Sequence, residues 1–214
     1  MKSFVVFQNE FNVFMSNIQV TAIVNEILQS CTYILSKNEE SKVYLVDCGD
    51  TVPIFSFLSK NNKTLDGVIL THAHYDHVYG LNDLLKLNPN LKVFAGIKTF
   101  EGIMNEDDNM SYLYTDEDFL LDLNEEQKIC VDDSVLLTIW NERLEIIPTP
   151  GHAPDCITYI VGRNIFTGDS YNPNSPVFTK WRNSNIEEAL ENEMKINAII
   201  KSRGLTVFPG HLID

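Results

Sequence analysis

Five histidines occur in this chain of 214 residues, and each lies inside a short motif. His72, His74 and His77 fall in Thr71-His-Ala-His-Tyr-Asp-His77, His152 closes Thr149-Pro-Gly-His152, and His211 closes Pro209-Gly-His211. Imidazole is the commonest protein metal ligand, so a chain that places none of its histidines elsewhere is arranging them for metal. Two carboxylates complete the set, Asp76 inside the first cluster and Asp169 in Thr167-Gly-Asp169.

Spacing suggests how these residues divide. In an extended segment residues two apart point the same way, so His72 and His74 reach one ion while Asp76 and His77, at the following turn, face a second. Four ligands within six residues crowd a single tetrahedral ion. Two cations relieve the crowding, with Asp169 bridging them and His152 and His211 each completing one site. Nitrogen-rich ligation with hard carboxylates suits zinc; manganese, iron and cobalt accept the same donors. Taken singly, His152 or His211 reads as an ordinary core or surface residue. The cluster with two Gly-His turns does not, and Gly151, Gly168 and Gly210 each precede a ligand where the backbone must turn sharply.

Strand ends are the natural places for such turns. Runs at Val20 to Val24, Thr32 to Leu35 and Val43 to Val46 predict strands, the last two as a hairpin around Lys37 to Ser41. Asp47-Cys-Gly-Asp50 breaks the third run, and Thr51 with Pro53 predicts a helix to about Lys60. Gly67 to Leu70 reads as a buried strand feeding the histidine cluster, Val78 to Leu87 as a helix, and Leu91 to Ala95 as another strand. A second hairpin is expected from Val135 to Trp140 and Leu144 to Ile147, then strands near Ile157 to Val161 and Asn164 to Phe166. Ser184-x-x-Glu187 predicts a capping box for a helix to Gly204, before a last strand, Leu205 to Phe208. Glu101 to Glu126 carries ten acidic residues and no Lys or Arg. It reads as a solvated acidic face, the alternative being a mobile lid that brings Tyr112 or Tyr114 to substrate.

Composition bounds the class. A 44% hydrophobic chain of this length supports one domain spanning residues 1–214, since the ligands run from 72 to 211. With 30 acidic against 16 basic residues and a net charge of -14, no nucleic-acid partner is expected. The apolar run near Met1 is too short for a secretory signal, and no stretch approaches a membrane span. Cys31, Cys48, Cys130 and Cys156 form no CxxC pair and read as reduced and buried, consistent with a cytoplasmic protein.

Thr71-His-Ala-His-Tyr-Asp-His-Val-Tyr-Gly80, Thr149-Pro-Gly-His152, Phe166-Thr-Gly-Asp-Ser170 and Phe208-Pro-Gly-His211, with the early Leu45-Val-Asp-Cys-Gly49, follow one another in a familiar order. The chain resembles the metallo-β-lactamase-fold hydrolases along nearly its whole length, and among them the short branch similar to glyoxalase II. The resemblance implies an αββα sandwich, a four-layer α/β fold with two mixed sheets and two metals at one edge. It assigns His72, His74 and His152 to the first metal, Asp76, His77 and His211 to the second, and Asp169 to both. Cysteine in place of Asp169 is usual in class B β-lactamases, so antibiotic hydrolysis is not expected. Glyoxalase II continues beyond the last histidine into a helical domain, which sets glutathione thioesters apart from the expectation here. No counterpart is expected here of the inserted domain of nucleic-acid-processing relatives or of the flavodoxin domain of flavodiiron relatives, which carry glutamate where this chain has His74.

The expected chemistry is hydrolysis of a small-molecule ester, thioester, lactone or phosphodiester by a hydroxide held between two Zn²⁺ ions, coordination lowering water's pKa to about 7. Asp76 would orient that hydroxide and shuttle its proton. Thr71, Asp47 and Asp50 are candidates to fix the imidazoles from behind, or else ordinary turn and cap residues. Tyr171 would donate to an oxyanion, as a tyrosine near this position does in the similar lactonases, and Lys180 with Arg182 would grip an anionic group or else answer the acidic surface. Two alternatives stand beside the hydrolase. One is a persulfide dioxygenase holding a single iron through His72, His152 and Asp169, as similar relatives do; the other is a non-catalytic metal or ligand sensor.

Overall fold

A computed structural model describes residues 17–212 other than 117, 118, 120, 122 and 135. The expectations for the segment at Met1, for four positions within Glu101 to Glu126 and for the start of the strand at Val135 lie outside the described residues.

Eleven strands build two sheets among these residues. In the first, β1 (Gln19–Val24), β2 (Cys31–Ser36) and β3 (Lys42–Val46) pair antiparallel, and β4 (Thr64–Ile69), β5 (Lys92–Ala95) and β6 (Lys128–Cys130) follow in parallel, in sequence order. The second runs β11 (Thr206–Pro209), β10 (Asn164–Gly168), β9 (Ile157–Val161), β8 (Glu142–Pro148), β7 (Leu137–Ile139), antiparallel except for the parallel β10 and β11. Parallel neighbours require crossovers. Helices α1 (Thr51–Asn61), α2 (Leu81–Leu87) and α3 (Ile97–Ile103), with the short α4 (Glu106–Asn109), supply them in the first sheet, and α5 (Ile186–Arg203) in the second.

Alternation along apolar strands sorts their side chains into three layers. Ile34, Val43, Leu45, Val68 and Val93 meet Ile54 of α1, Leu81 and Leu84 of α2, and Phe100 and Ile103 of α3. From the other face of the same strands, Tyr33, Leu35, Tyr44, Val46 and Ile69 meet Ile146, Tyr159, Val161 and Phe166 of the second sheet. Ile160 and Ile165, on the far face of that sheet, pack on Ile196 of α5. The order is helix, sheet, sheet, helix, as the resemblance implied. Burying a side chain of this kind contributes about 1.5–3 kcal/mol, so the inter-sheet layer is the main clamp holding the two sheets in register.

Several local expectations change. A helix from Val78 does not form; a single 3-10 turn covers Tyr75–His77 and α2 begins at Leu81. The backbone there is committed to the Cys48-Gly49 turn, since Cys48 N–H donates to His77 O at 2.8 Å and Gly80 N–H to Cys48 O at 3.1 Å. A Cβ at Gly80 would lie 1.9 Å from Gly49 O. Ser184 does not cap α5. Its hydroxyl donates to His152 O at 2.7 Å, and Asn185 caps instead, accepting from Glu187 N and Glu188 N. Helix α3 follows Gly96 without a capping side chain, so it carried no start signal. Cys130 is exposed at the end of β6, not buried like the other three cysteines.

Candidate metal centre

All the candidate ligands lie at or just beyond the C-terminal ends of strands: the histidine cluster after β4, His152 after β8, Asp169 after β10 and His211 after β11. Asp47, just past β3 and left-handed at φ 57°, holds the first of these turns. Its Oδ1 accepts from Thr71 N–H and its Oδ2 from the Thr71 hydroxyl, both at 2.8 Å. The same Oδ2 stands 2.9 Å from His77 Nδ1. One buried carboxylate thus fixes both ends of the cluster.

The hydrogen-bond network assigns the imidazole tautomers. A carbonyl oxygen can only accept, so His152 Nδ1–H donates to Phe178 O at 2.7 Å and His211 Nδ1–H to Leu28 O at 3.0 Å. His77 Nδ1–H donates to Asp47, and His72 Nδ1–H to the oxygen of Thr71, whose own proton is given to Asp47. Four rings therefore aim Nε2 at one point. His74 aims Nδ1, which lies 3.0 Å from His152 Nε2.

Two groups converge, His72, His74, His152 and Asp169 in one and Asp76, His77 and His211 in the other, with donor atoms within 4.8 Å of one another. Asp169 faces both: its Oδ2 is 3.2 Å from His152 Nε2 and 3.3 Å from His211 Nε2, while its Oδ1 is 3.4 Å from His77 Nε2. Gly210 makes this possible, because a Cβ there would lie 2.0 Å from Asp169 Oδ1. His72 Nε2, Asp76 Oδ2 and Asp169 Oδ1 are buried without hydrogen-bond partners. Ring nitrogens and carboxylate oxygens packed this closely fit divalent cations.

Electrostatics agrees. Burial pushes His74 down to about 3 and His72 well below the usual imidazole range, with neighbouring imidazoles adding to it, so both rings are neutral and ready to ligate. Burial also lowers His77, but Asp76 and Asp169 outweigh it and hold that ring well above its usual value. Asp76 is raised, first by burial and then by Asp169. Burial would raise Asp169 too, yet His77, His152 and His211 hold it well below the carboxylate range. Burial lowers His211 likewise, but Asp169 holds it above its usual value, so in the second group the carboxylates draw positive charge onto the rings, the charge that a bound cation would supply in its place.

Residues 25–211 match the model of the metallo-beta-lactamase superfamily. The chain belongs to this superfamily. It is 29% identical over 154 residues to the hydroxyacylglutathione hydrolase of Pseudoalteromonas translucida (strain TAC 125), covering 72% of this chain and 50% of that protein. The chain spans about half the length of the curated relatives it matches. Among solved structures, the BLEG-1 B3 metallo-beta-lactamase superposes with a TM-score of 0.78 at 21% identity, covering 91% of this chain and 92% of that one. ETHE1 from Myxococcus xanthus superposes at 0.67 and 18% identity, covering 92% and 76%. Both structures share the fold.

Within this superfamily fold, a cavity of about 420 Å³ opens beside His74 and His152, walled by Tyr112, Asp155 and Trp181 among others. A smaller one over Asp76, Asp169 and His211 is lined by Leu28, Met110 and Tyr114. Of the substrate contacts read from the sequence, Arg182 reaches the larger cavity, but its guanidinium lies 3.9 Å from Asp107. Lys180 is exposed and lines neither cavity. Tyr171 packs on Ile160 and Ile165 toward α5, because its ring follows the outer face of β10. Asp50 accepts from the Tyr79 hydroxyl and Glu26 N–H, a turn role that leaves the imidazoles to Asp47 and Thr71. Sequence reasoning did not find the carbonyls of Leu28 and Phe178, and nothing in residue type marks a backbone acceptor.

Proposed function

We propose that the chain is a metal-dependent hydrolase of a small-molecule ester, thioester, lactone or phosphodiester, with two zinc ions as its cofactors. The observation that carries this reading is the convergence of five ring nitrogens and the bare oxygens of Asp76 and Asp169 on one buried point. His72, His74 and His152 would hold one ion, Asp76, His77 and His211 the other, and Asp169 both. When bound, such a pair supplies acidified water and polarisation of the scissile oxygen.

The chain's own residues do the rest. Asp47 and Thr71 keep His72 and His77 in the ligating tautomer, and the carbonyls of Phe178 and Leu28 do so for His152 and His211. Asp76, bare at Oδ2, orients the attacking water and takes its proton at that atom. Trp181, edge-on to His74 at 6.5 Å between ring centroids, excludes bulk water from one side. Thioesters come first among the substrates, because the curated relatives named above are hydroxyacylglutathione hydrolases.

Elemental analysis and a panel of the four substrate classes test the reading. About two zinc ions per chain, with turnover of at least one class, is expected. One iron per chain with oxygen uptake on a persulfide would replace the hydrolase by an oxygenase, and full loading with no turnover would leave a sensor.

A further inference from the structure

Helix α5 is apolar on two sides. Toward the fold it buries Ala189 and Ile196, the latter packed on Ile160 and Ile165. Toward solvent, Ile186, Leu190 and Met194 recur one turn apart and are 61%, 55% and 68% exposed, and Ala198 continues the row, also exposed. A surface helix confines its apolar residues to the stripe that faces the core. Three large apolar side chains left in water along a single row differ from the scattered exposure of ordinary surfaces, and mark a face that another molecule covers.

The charges beside this row say what that molecule is. Its first half carries Glu187 and Glu191, its second half Lys195 and Lys201, all exposed and, among the described residues, without an ion-pair partner. The helix dipole favours acids at the start and bases at the end, but it gives no reason for the leucine and methionine between them. A second copy of the same helix gives one. Turned antiparallel about a two-fold axis at Met194, it sets Leu190 against the partner's Ala198 and Glu187 against the partner's Lys201, with Glu191 brought near the partner's Lys195 on one flank. Each contact is made twice, as a closed pair requires. A parallel alignment would put every glutamate beside its own copy.

We propose that α5 is a self-association surface, through which two copies of this chain pair antiparallel along the row from Ile186 to Ala198. The helix has 18 residues and is therefore about 27 Å long. One such face is small beside the roughly 1,000 Å² that mark a stable interface, so the dimer is weak, with a Kd on the order of 10–100 µM. No residue of the row belongs to the metal centre, and the proposal is independent of the hydrolase reading.

Sedimentation equilibrium of the full chain from about 5 to 500 µM tests it. The weight-average mass should rise from monomer toward dimer, and Leu190→Glu, a change on an exposed face, should hold the chain monomeric throughout. Glu187→Lys and Lys201→Glu should each weaken the dimer about three- to tenfold at low salt, and the two together in one chain should restore it to within about twofold. Restoration is particular to the antiparallel register; a merely sticky stripe would not show it. A chain that stays monomeric at every concentration overturns the proposal, and capture of that monomer by phosphatidylcholine vesicles would give the face to a lipid surface. A dimer that Leu190→Glu leaves unchanged, or that the charge variants neither weaken nor restore, overturns it as well.

Discussion

The two sheets furnish the centre in opposite ways. The first delivers four donors, His72, His74, Asp76 and His77, from one turn after β4, whereas the second delivers His152, Asp169 and His211 singly from three strand ends. A contiguous cluster is set by local backbone geometry and one anchor, Asp47. Dispersed ligands are set by the packing of the sheets and of α5, so their positions depend on the whole fold. Asp169 is where the two arrangements meet, and it should be the least replaceable residue.

That comparison can be broken or sharpened by substitution. The largest effect is expected for Asp169→Ala, which removes the donor facing both groups: metal content and hydrolytic activity should fall together, by more than a hundredfold in activity. A variant that retains two metals by elemental analysis would show that the two halves are independent. Asp47→Ala comes next. It removes a buried carboxylate that accepts from Thr71 N, Thr71 Oγ1 and His77 Nδ1, and should cost about 2–4 kcal/mol of stability with a 10- to 100-fold loss of metal affinity. Denaturant titration and metal competition read the two separately; intact affinity would mean that the cluster needs no anchor.

The smallest effect belongs to the second sheet's outer side, where Arg203 of α5 meets Glu145 of β8 in two contacts, at 2.7 and 2.8 Å. Arg203 holds the Glu145 carboxyl below its usual range. Its contribution is therefore complete above the unfolded carboxylate value of about 4.3 and is lost as pH falls through the lower folded value. Because the pair is partly exposed, Arg203→Ala should cost only about 0.2–1 kcal/mol near neutral pH, and nothing once Glu145 is protonated. A loss in melting temperature that persists unchanged in acid would assign the contact to packing instead of charge.

The same contrast explains what the sequence made legible. The cluster from Thr71 to His77 announces itself because its donors are neighbours, and the two Gly-His pairs with Gly168-Asp169 supply the rest of the set. Strands β2, β3, β9 and β10 were legible from their apolar runs. Helix α3 was not, since Gly96 offers no capping side chain, and α2 starts late because the Cys48-Gly49 turn claims the backbone before it. Tyr171 was read toward the centre on nearness in sequence, but three residues past β10 the chain had already turned its ring outward. Acceptors such as Phe178 O and Leu28 O are invisible in principle, because every residue carries a carbonyl.

His211 is held by the loop after β1, through Leu28 O, while Cys31 N–H donates to Gly210 O and the Tyr33 hydroxyl to Pro209 O. The start and the finish of the described chain are thereby stitched across one another. During synthesis, the cluster at 72–77 leaves the ribosome long before its distant partners exist. A growing chain can present that cluster early, but it cannot close either ligand group until His152, Asp169 and His211 have emerged. Contacts of such long sequence separation also form slowly, so cation capture should follow the last folding step instead of guiding the first.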